Sequence, residues 1–278
     1  MDKVLVYIKK VPLLLAVVAI GTALIFMRVF KTYDVLAAAF LRLFLASGMA
    51  CFLYLISGTK TFERSFRQAD CVVKTLRPIL IYSSILGAAR LFVNYSSDGW
   101  NFAEGWPGDL AACFLLMASV GLFEELMCRA VLCDALIYQF RNFKGVFVLT
   151  GIVVPFVFGF LHVAGSPIHT PLMLAQAALK TVSTGLIGFS FLMMYWKTRD
   201  ILAISLVHAL FDFLVACPAV LYGRWDLRQV GTYVLEGNEG ALVAAVLLVD
   251  FVIELVIAIL VWRKVMGTID FEEMRREW

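Results

Sequence analysis

Apolar residues in this chain run on in long unbroken stretches instead of alternating with polar ones. Eight such stretches can be marked, at roughly 11–28, 35–57, 78–94, 110–137, 145–163, 171–195, 200–222 and 241–262. A helix needs about 20 apolar residues to cross the hydrocarbon core of a bilayer. With no water in that core, runs of this length must satisfy their backbone groups as helices. The pattern predicts an all-α, polytopic integral membrane protein of about eight transmembrane helices. The third run is the weakest, interrupted by Ser83, Ser84 and Arg90. Turn-forming stretches separate the runs, such as SPIHTP at 166–171 and LEGNEG at 235–240. The first run exceeds a signal-peptide core and lacks a small-x-small cleavage site, so it reads as a retained span. No internal repeat or low-complexity tract divides the chain, and one membrane domain is expected over 1–278. The charged tail, 263–278, reads as a cytoplasmic amphipathic helix.

Composition agrees with lipid as the solvent. Of 278 residues 62% are hydrophobic and 16% charged, against about 45–50% and 25% in soluble domains; mean hydropathy is +0.89. A net charge of +3 gives no broad basic surface for nucleic acid. The basic residues set orientation. One side collects Lys3, Lys9 and Lys10, then Lys60, Arg64, Arg67, Lys74 and Arg77, then Arg141, Lys144, Lys197 and Arg199, and finally the tail. That side holds 16 of the 24, the opposite loops hold 5, and Arg42, Arg129 and Lys180 fall within spans. By the positive-inside rule both termini are expected in the cytoplasm. The six cysteines form no CxxC pair and read as small buried hydrophobes.

Ionisable residues inside such runs are expensive and become functional candidates. GLFEELMCRAVL, Gly121 to Leu132, carries three charges. Glu125 and Arg129 are four apart, so they share a helix face and can pair. Glu124 lies about 100° round the helix and is left needing a proton or another partner. Of three histidines, His169 lies in a loop and reads as solvated. His162 ends FVFGFLH, with Phe158 one turn before it, and His208 in LVHALFDF has Asp212 on its own face. Glu124 stands 18 residues before a turn near Asn142 and His162 stands 20 after it, so antiparallel helices would bring them to similar heights. His208 reaches that level only if the 138–145 hairpin projects about 10 Å or more, at 1.5 Å per residue.

In order along successive spans, Glu124-Glu125-x-x-x-Arg129, Phe158-x-x-x-His162 and His208-x-x-x-Asp212 resemble the CPBP family. This family takes in the type II CAAX prenyl endopeptidases and bacteriocin-processing (Abi-type) proteins. The resemblance covers about residues 110–222. It implies an intramembrane endopeptidase in which a glutamate activates water, with a peptide or protein substrate, lipidated or not, and no cofactor. Glu124 would be the general base, with His162 helping to hold the water and Phe158 lining the substrate cavity. Glu125 and Arg129 would orient the base, and His208 with Asp212 would stabilise the oxyanion. Members closest to the eukaryotic CAAX enzymes tend to have Asn where this chain has Asp212. An ionised Asp212 would repel an oxyanion, so His208 is the expected donor, with Asp212 orienting it or itself neutral.

Other classes stay open at this point. Glu124, His162 and His208 could supply a His₂Glu zinc set with a position for water, though no HExxH is present. Neither a GxSG nor a GxGD pattern occurs, and Cys128 and Cys133 adjoin no obvious base. A non-proteolytic scaffold, immunity protein or carrier would also use buried acids and histidines, and Arg42, Lys180, Asp250 and Glu254 keep that alternative alive.

Overall fold

The computed structural model describes residues 11–57, 62–228 and 233–277; Lys3, Lys9, Lys10, Lys60 and Trp278 lie outside them. The helices are α1 (Pro12–Val29), α2 (Val35–Ser57), α3 (Ala69–Asp98), α4 (Trp106–Glu125), a π-helical segment (Leu126–Cys133) and α5 (Asp134–Gln139). There follow α6 (Val146–Leu161), α7 (Pro171–Thr198), α8 (Ile201–Leu221), α9 (Gly237–Val265), a single 3₁₀ turn (Met266–Thr268) and α10 (Phe271–Glu277). Among the described residues there is no strand, and the protein is an all-α, multi-pass membrane protein.

Among the described residues seven helices are long and apolar enough to cross a membrane, against about eight expected. The shortfall is the expected fifth span. Helix α6 has 16 residues, about 24 Å at 1.5 Å per residue, short of a ~30 Å core. It stops because His162 begins a turn through Gly165, which holds φ +90°, and Pro167 follows. The weak third run is the opposite case. Helix α3 extends to 30 residues, taking in Lys74, Arg77 and Arg90. Ser83 and Ser84 turn their hydroxyls back onto the Leu80 carbonyl, so their polarity is absorbed within the helix.

One domain is expected from the sequence; the contacts resolve two compact units. The first takes in the described residues up to Ala135 and those over Thr198–Arg228, and the second holds Leu136–Lys197 and the described residues from 233 on. In the first unit α4 packs on α8 and α2, and α3 packs on α8. Its core joins Ala38, Ala39, Cys113, Leu116, Met117, Ala216 and Val220. Small residues let backbones meet where lipid offers no hydrophobic drive. A Cβ on Gly121 of α4 would stand 2.6 Å from the Ser205 carbonyl and 3.0 Å from the Ala209 nitrogen of α8. Pro218 lacks the N–H that would bond the Leu214 carbonyl, and Gly87 of α3 lies against that oxygen, with only 2.4 Å left for a Cβ. Arg90 Nη1 and Asn94 Nδ2 donate to the neighbouring carbonyls of Val215 and Pro218.

The start of α8 is pinned by Asp200, which is fully buried. It caps the helix by accepting from Ala203 N at 3.2 Å, and it accepts from Phe66 N and Gln68 N, both at 2.9 Å. Beside it Arg199 makes a two-pronged pair with Asp134 at 2.7 and 2.8 Å. In the second unit, Gln176 of α7 donates to the carbonyls of Leu235 and Gly240 and accepts from Leu235 N. Ser183 donates to Glu254 of α9, and Lys180 Nζ lies over the Tyr233 ring. The expected tail helix is the short α10, whose Phe271 meets Phe147 and Trp196. The six cysteines are free thiols.

The contact at Gly121 makes a prediction with an internal control. Gly121→Ala should destabilise the protein by about 1–3 kcal/mol, because two backbones cannot yield to a methyl group. Gly48→Ala, at a helical glycine with nothing within 4 Å of its Cβ position, should be neutral or gain up to about 1 kcal/mol from helix propensity. Thermal melting in detergent distinguishes the two. Equal melting temperatures would show that α4 and α8 are not in the close contact described.

Candidate active site

The helix bearing GLFEELMCRAVL changes its winding in the middle of the motif. Helix α4 ends at Glu125 and the π-helical turn takes over from Leu126 to Cys133. Such wide turns recur at functional sites because they re-aim side chains within an otherwise regular helix. Every residue from Glu125 to Cys133 is buried. The motif helix therefore carries its charges into the packed interior of the first unit.

Within that interior Glu125 is the hub. Its Oε1 lies 3.1 Å from Arg129 Nη1, and both side chains are wholly inaccessible. The same oxygen lies 2.8 Å from His208 Nδ1. A carboxylate accepts, so Nδ1 carries the proton and donates, which fixes the ring orientation from behind. The other ring nitrogen, Nε2, then faces two further carboxylates. Asp212 Oδ2 is 3.4 Å away and Glu124 Oε2 is 3.8 Å away. These two acids keep 27% and 24% of their side-chain surface accessible, while His208 keeps 6%. Glu124 Oε2 is itself buried and has no hydrogen-bond partner among the described residues. The geometry separates a sealed pair, Glu125 and Arg129, from an open pair, Glu124 and Asp212, with His208 between them.

Five of the residues singled out in the sequence, Glu124, Glu125, Arg129, His208 and Asp212, thus meet in the first unit. Phe158 and His162 belong to the second unit, at the end of α6. There His162 Nδ1 donates to the Phe158 carbonyl at 2.8 Å, which leaves Nε2 as the ring's acceptor. The two rings stand edge to face, 4.9 Å apart. His169 is exposed. Among the described residues no group of three or more His, Cys, Asp or Glu side chains is placed to hold a metal ion. One link was not read from the sequence. The carboxylate on Nδ1 of His208 is Glu125, 83 residues away, whereas Asp212, its neighbour by spacing, approaches Nε2 instead. The π-helical turn was also missed, since nothing in the apolar pattern marks it.

A buried ion pair costs more when half of it is removed than when all of it is. Arg129→Met should cost about 3–5 kcal/mol, because Glu125 is left with an uncompensated charge. Adding Glu125→Gln should recover a large part of that loss. Chemical or thermal unfolding of the two single variants and the double variant in detergent measures the coupling. Additive losses would show that the pair is not coupled as its geometry requires.

Residues 106–214 match the family model described as "Type II CAAX prenyl endopeptidase Rce1-like". No curated protein and no solved structure matches the chain at a significant level. The matched segment begins at the first residue of α4 and ends two residues past Asp212, so it takes in both halves of the charged cluster as well as Phe158 and His162. By this match the segment is similar to the Rce1-like group of CAAX-type membrane endopeptidases, which supports the CPBP family that its motifs point to.

Proposed function

We propose that this protein hydrolyses peptide bonds within the membrane with a water activated by Glu124. The observation that carries this reading is Glu124 itself. It is a partly accessible carboxylate with a buried, unpartnered oxygen, 3.8 Å from an imidazole that a second glutamate holds in place. Glu124 takes a proton from water as the oxygen attacks the scissile carbonyl. His208 donates from Nε2 to the oxygen that becomes negative. Collapse of the tetrahedral intermediate breaks the C–N bond, and Glu124 returns its proton to the leaving nitrogen. Amide hydrolysis needs a base and aimed donors of this kind.

Glu125 and Arg129 act through His208 by fixing its ring. Asp212 stands 3.4 Å from Nε2, the nitrogen that must carry a hydrogen to donate. The family resemblance alone assigns His162 a share in holding the water and Phe158 a place beside the substrate. Both termini are proposed to lie in the cytoplasm on the distribution of Lys and Arg.

Purified protein should cleave peptides in detergent or liposomes. Glu124→Gln should lower kcat by about 10²–10⁴-fold, the usual share of a general base, with no change in melting temperature. Cleavage that survives this change would rule out Glu124 as the base. Loss of activity on prolonged chelation, restored by zinc, would favour a metal-activated water instead. If no peptide is cut, and wild type and Glu124→Gln restore a deletion strain equally, a non-proteolytic scaffold is the better reading.

A further inference from the structure

Two non-glycine residues among those described hold a left-handed backbone, Phe66 at φ +56° and Arg199 at φ +55°. An L side chain adopts that conformation at a cost, and such strain lasts only where the surroundings impose it. Here the surroundings are Asp200. Its two carboxylate oxygens take the N–H groups of Phe66 and Gln68 at 2.9 Å, and Arg199 immediately precedes it. Residues 62–68 are wound in successive tight turns, with Ser65 N bonded to the Phe62 carbonyl and Arg67 N to the Arg64 carbonyl. The loop is therefore a fixed piece of the first unit. What it holds out is an apolar ring. Phe66 is 54% exposed, with Arg64 and Arg67 exposed on either side of it in the chain.

The height of this loop follows from α8. That helix has 21 residues, about 32 Å at 1.5 Å per residue, which a ~30 Å hydrocarbon core uses almost in full. Asp200 caps it and so stands at the edge of that core, with Phe66 one hydrogen bond away. The outward face of α3 makes the same transition. Asp70, Lys74 and Arg77 are exposed along it, and the next turns present Ile81 and Ile85, 51% and 61% exposed. Lys74 Nζ reaches back toward the loop, 2.8 Å from Asp70 Oδ2, as a long cationic side chain does when its head seeks the interface. Among the described residues no acid stands within ion-pair distance of Arg67 or Arg77. Four basic side chains and one exposed ring, against Glu63 and Asp70, thus meet at the level of the headgroups.

We propose that residues 62–77 form a binding surface for anionic phospholipid. Arg64, Arg67, Lys74 and Arg77 take the phosphates, and Phe66 inserts between the headgroups beside them. Basic charge next to an exposed aromatic ring suits a lipid surface, where anionic groups lie directly above apolar chains. A soluble acidic partner would offer the ring no such layer. The strain at Phe66 is then accounted for by the position it gives the ring. This surface is separate from the cluster around His208 and binds whether or not the chain cleaves peptides. Because Asp200 also caps α8, lipid held on the loop bears on the helix that carries His208.

The test titrates the full-length protein in neutral detergent with fluorescent phosphatidylglycerol, and with phosphatidylcholine of the same chains. Wild type should bind the anionic lipid more tightly by at least about 10-fold. Arg64→Gln, Arg67→Gln and Arg77→Gln should each weaken it about 5-fold, the effect of one basic residue at a charged surface, and leave phosphatidylcholine unchanged. Arg228→Gln, past the opposite end of α8 and also exposed, should keep the wild-type preference. Glycine suits the backbone at position 66, so Phe66→Gly should keep or raise the melting temperature while weakening the anionic lipid. Equal affinity for the two lipids in the wild type overturns the inference. So do arginine variants, or a Phe66→Gly variant, that bind phosphatidylglycerol as the wild type does. Displacement of the lipid by equimolar inorganic phosphate or by an acidic peptide would assign the surface to a soluble anion instead, and equally overturns it.

Discussion

A single carboxylate oxygen, Oε1 of Glu125, receives Arg129 on one side and His208 on the other. Everything about the site follows from the need to keep that carboxylate beside positive charge where water cannot reach. A buried charge is tolerable only when its partner is close and well aimed. Meeting that condition across two helices requires α4 and α8 to approach until their backbones touch. Gly121 permits the approach one turn before Glu125, against Ser205 and Ala209, which flank the turn that leads to His208. The small residue and the charged residue are therefore parts of one device. The first sets the spacing of the helices and the second uses it.

The consequence for chemistry is a division of labour among like residues. Three acids surround one imidazole, yet only one of them is sealed. Glu125 is wholly inaccessible, and its attachment to Nδ1 turns Nε2 toward Glu124 and Asp212. The latter two share the accessible side and face the same ring nitrogen, so the imidazole is the group that stands between them. An orienting carboxylate behind a histidine is a recurrent arrangement. In this chain the sealed Glu125 stands in that position, and Asp212 does not.

Much of this was legible from spacing and solvent alone, because lipid punishes misplaced polarity and so makes the exceptions stand out. The run lengths gave the helices closely, from α1 to α9. They failed where length and local chemistry diverge. Residues 145–163 looked like a span but hold only the 16 residues of α6, since the turn at His162–Gly165 ends it. Lys74 and Arg77 were read as loop residues, but they lie in the first turns of α3, whose 30 residues exceed a bilayer core. The Glu125–Arg129 pair is local and follows from a spacing of four. The Glu125–His208 bond joins residues 83 apart, and no periodic rule reports a contact of that range. The same holds for Asp200, which reads as an ordinary helix cap yet also accepts from Phe66 and Gln68, more than 130 residues earlier.

Buried charges in the first unit then fall into two kinds, and the distinction separates scaffold from site. Glu125 and Arg129 offset each other inside the protein; so do Asp134 and Arg199, and Asp200 with its backbone donors. Their cost is met before any ligand arrives, and they hold α4, the π-helical segment and α8 in register. Glu124 is the other kind. Its side chain is partly accessible, and its Oε2 has no hydrogen-bond partner among the described residues. An oxygen left so costs the fold stability, and within a membrane such a group is a functional candidate by default.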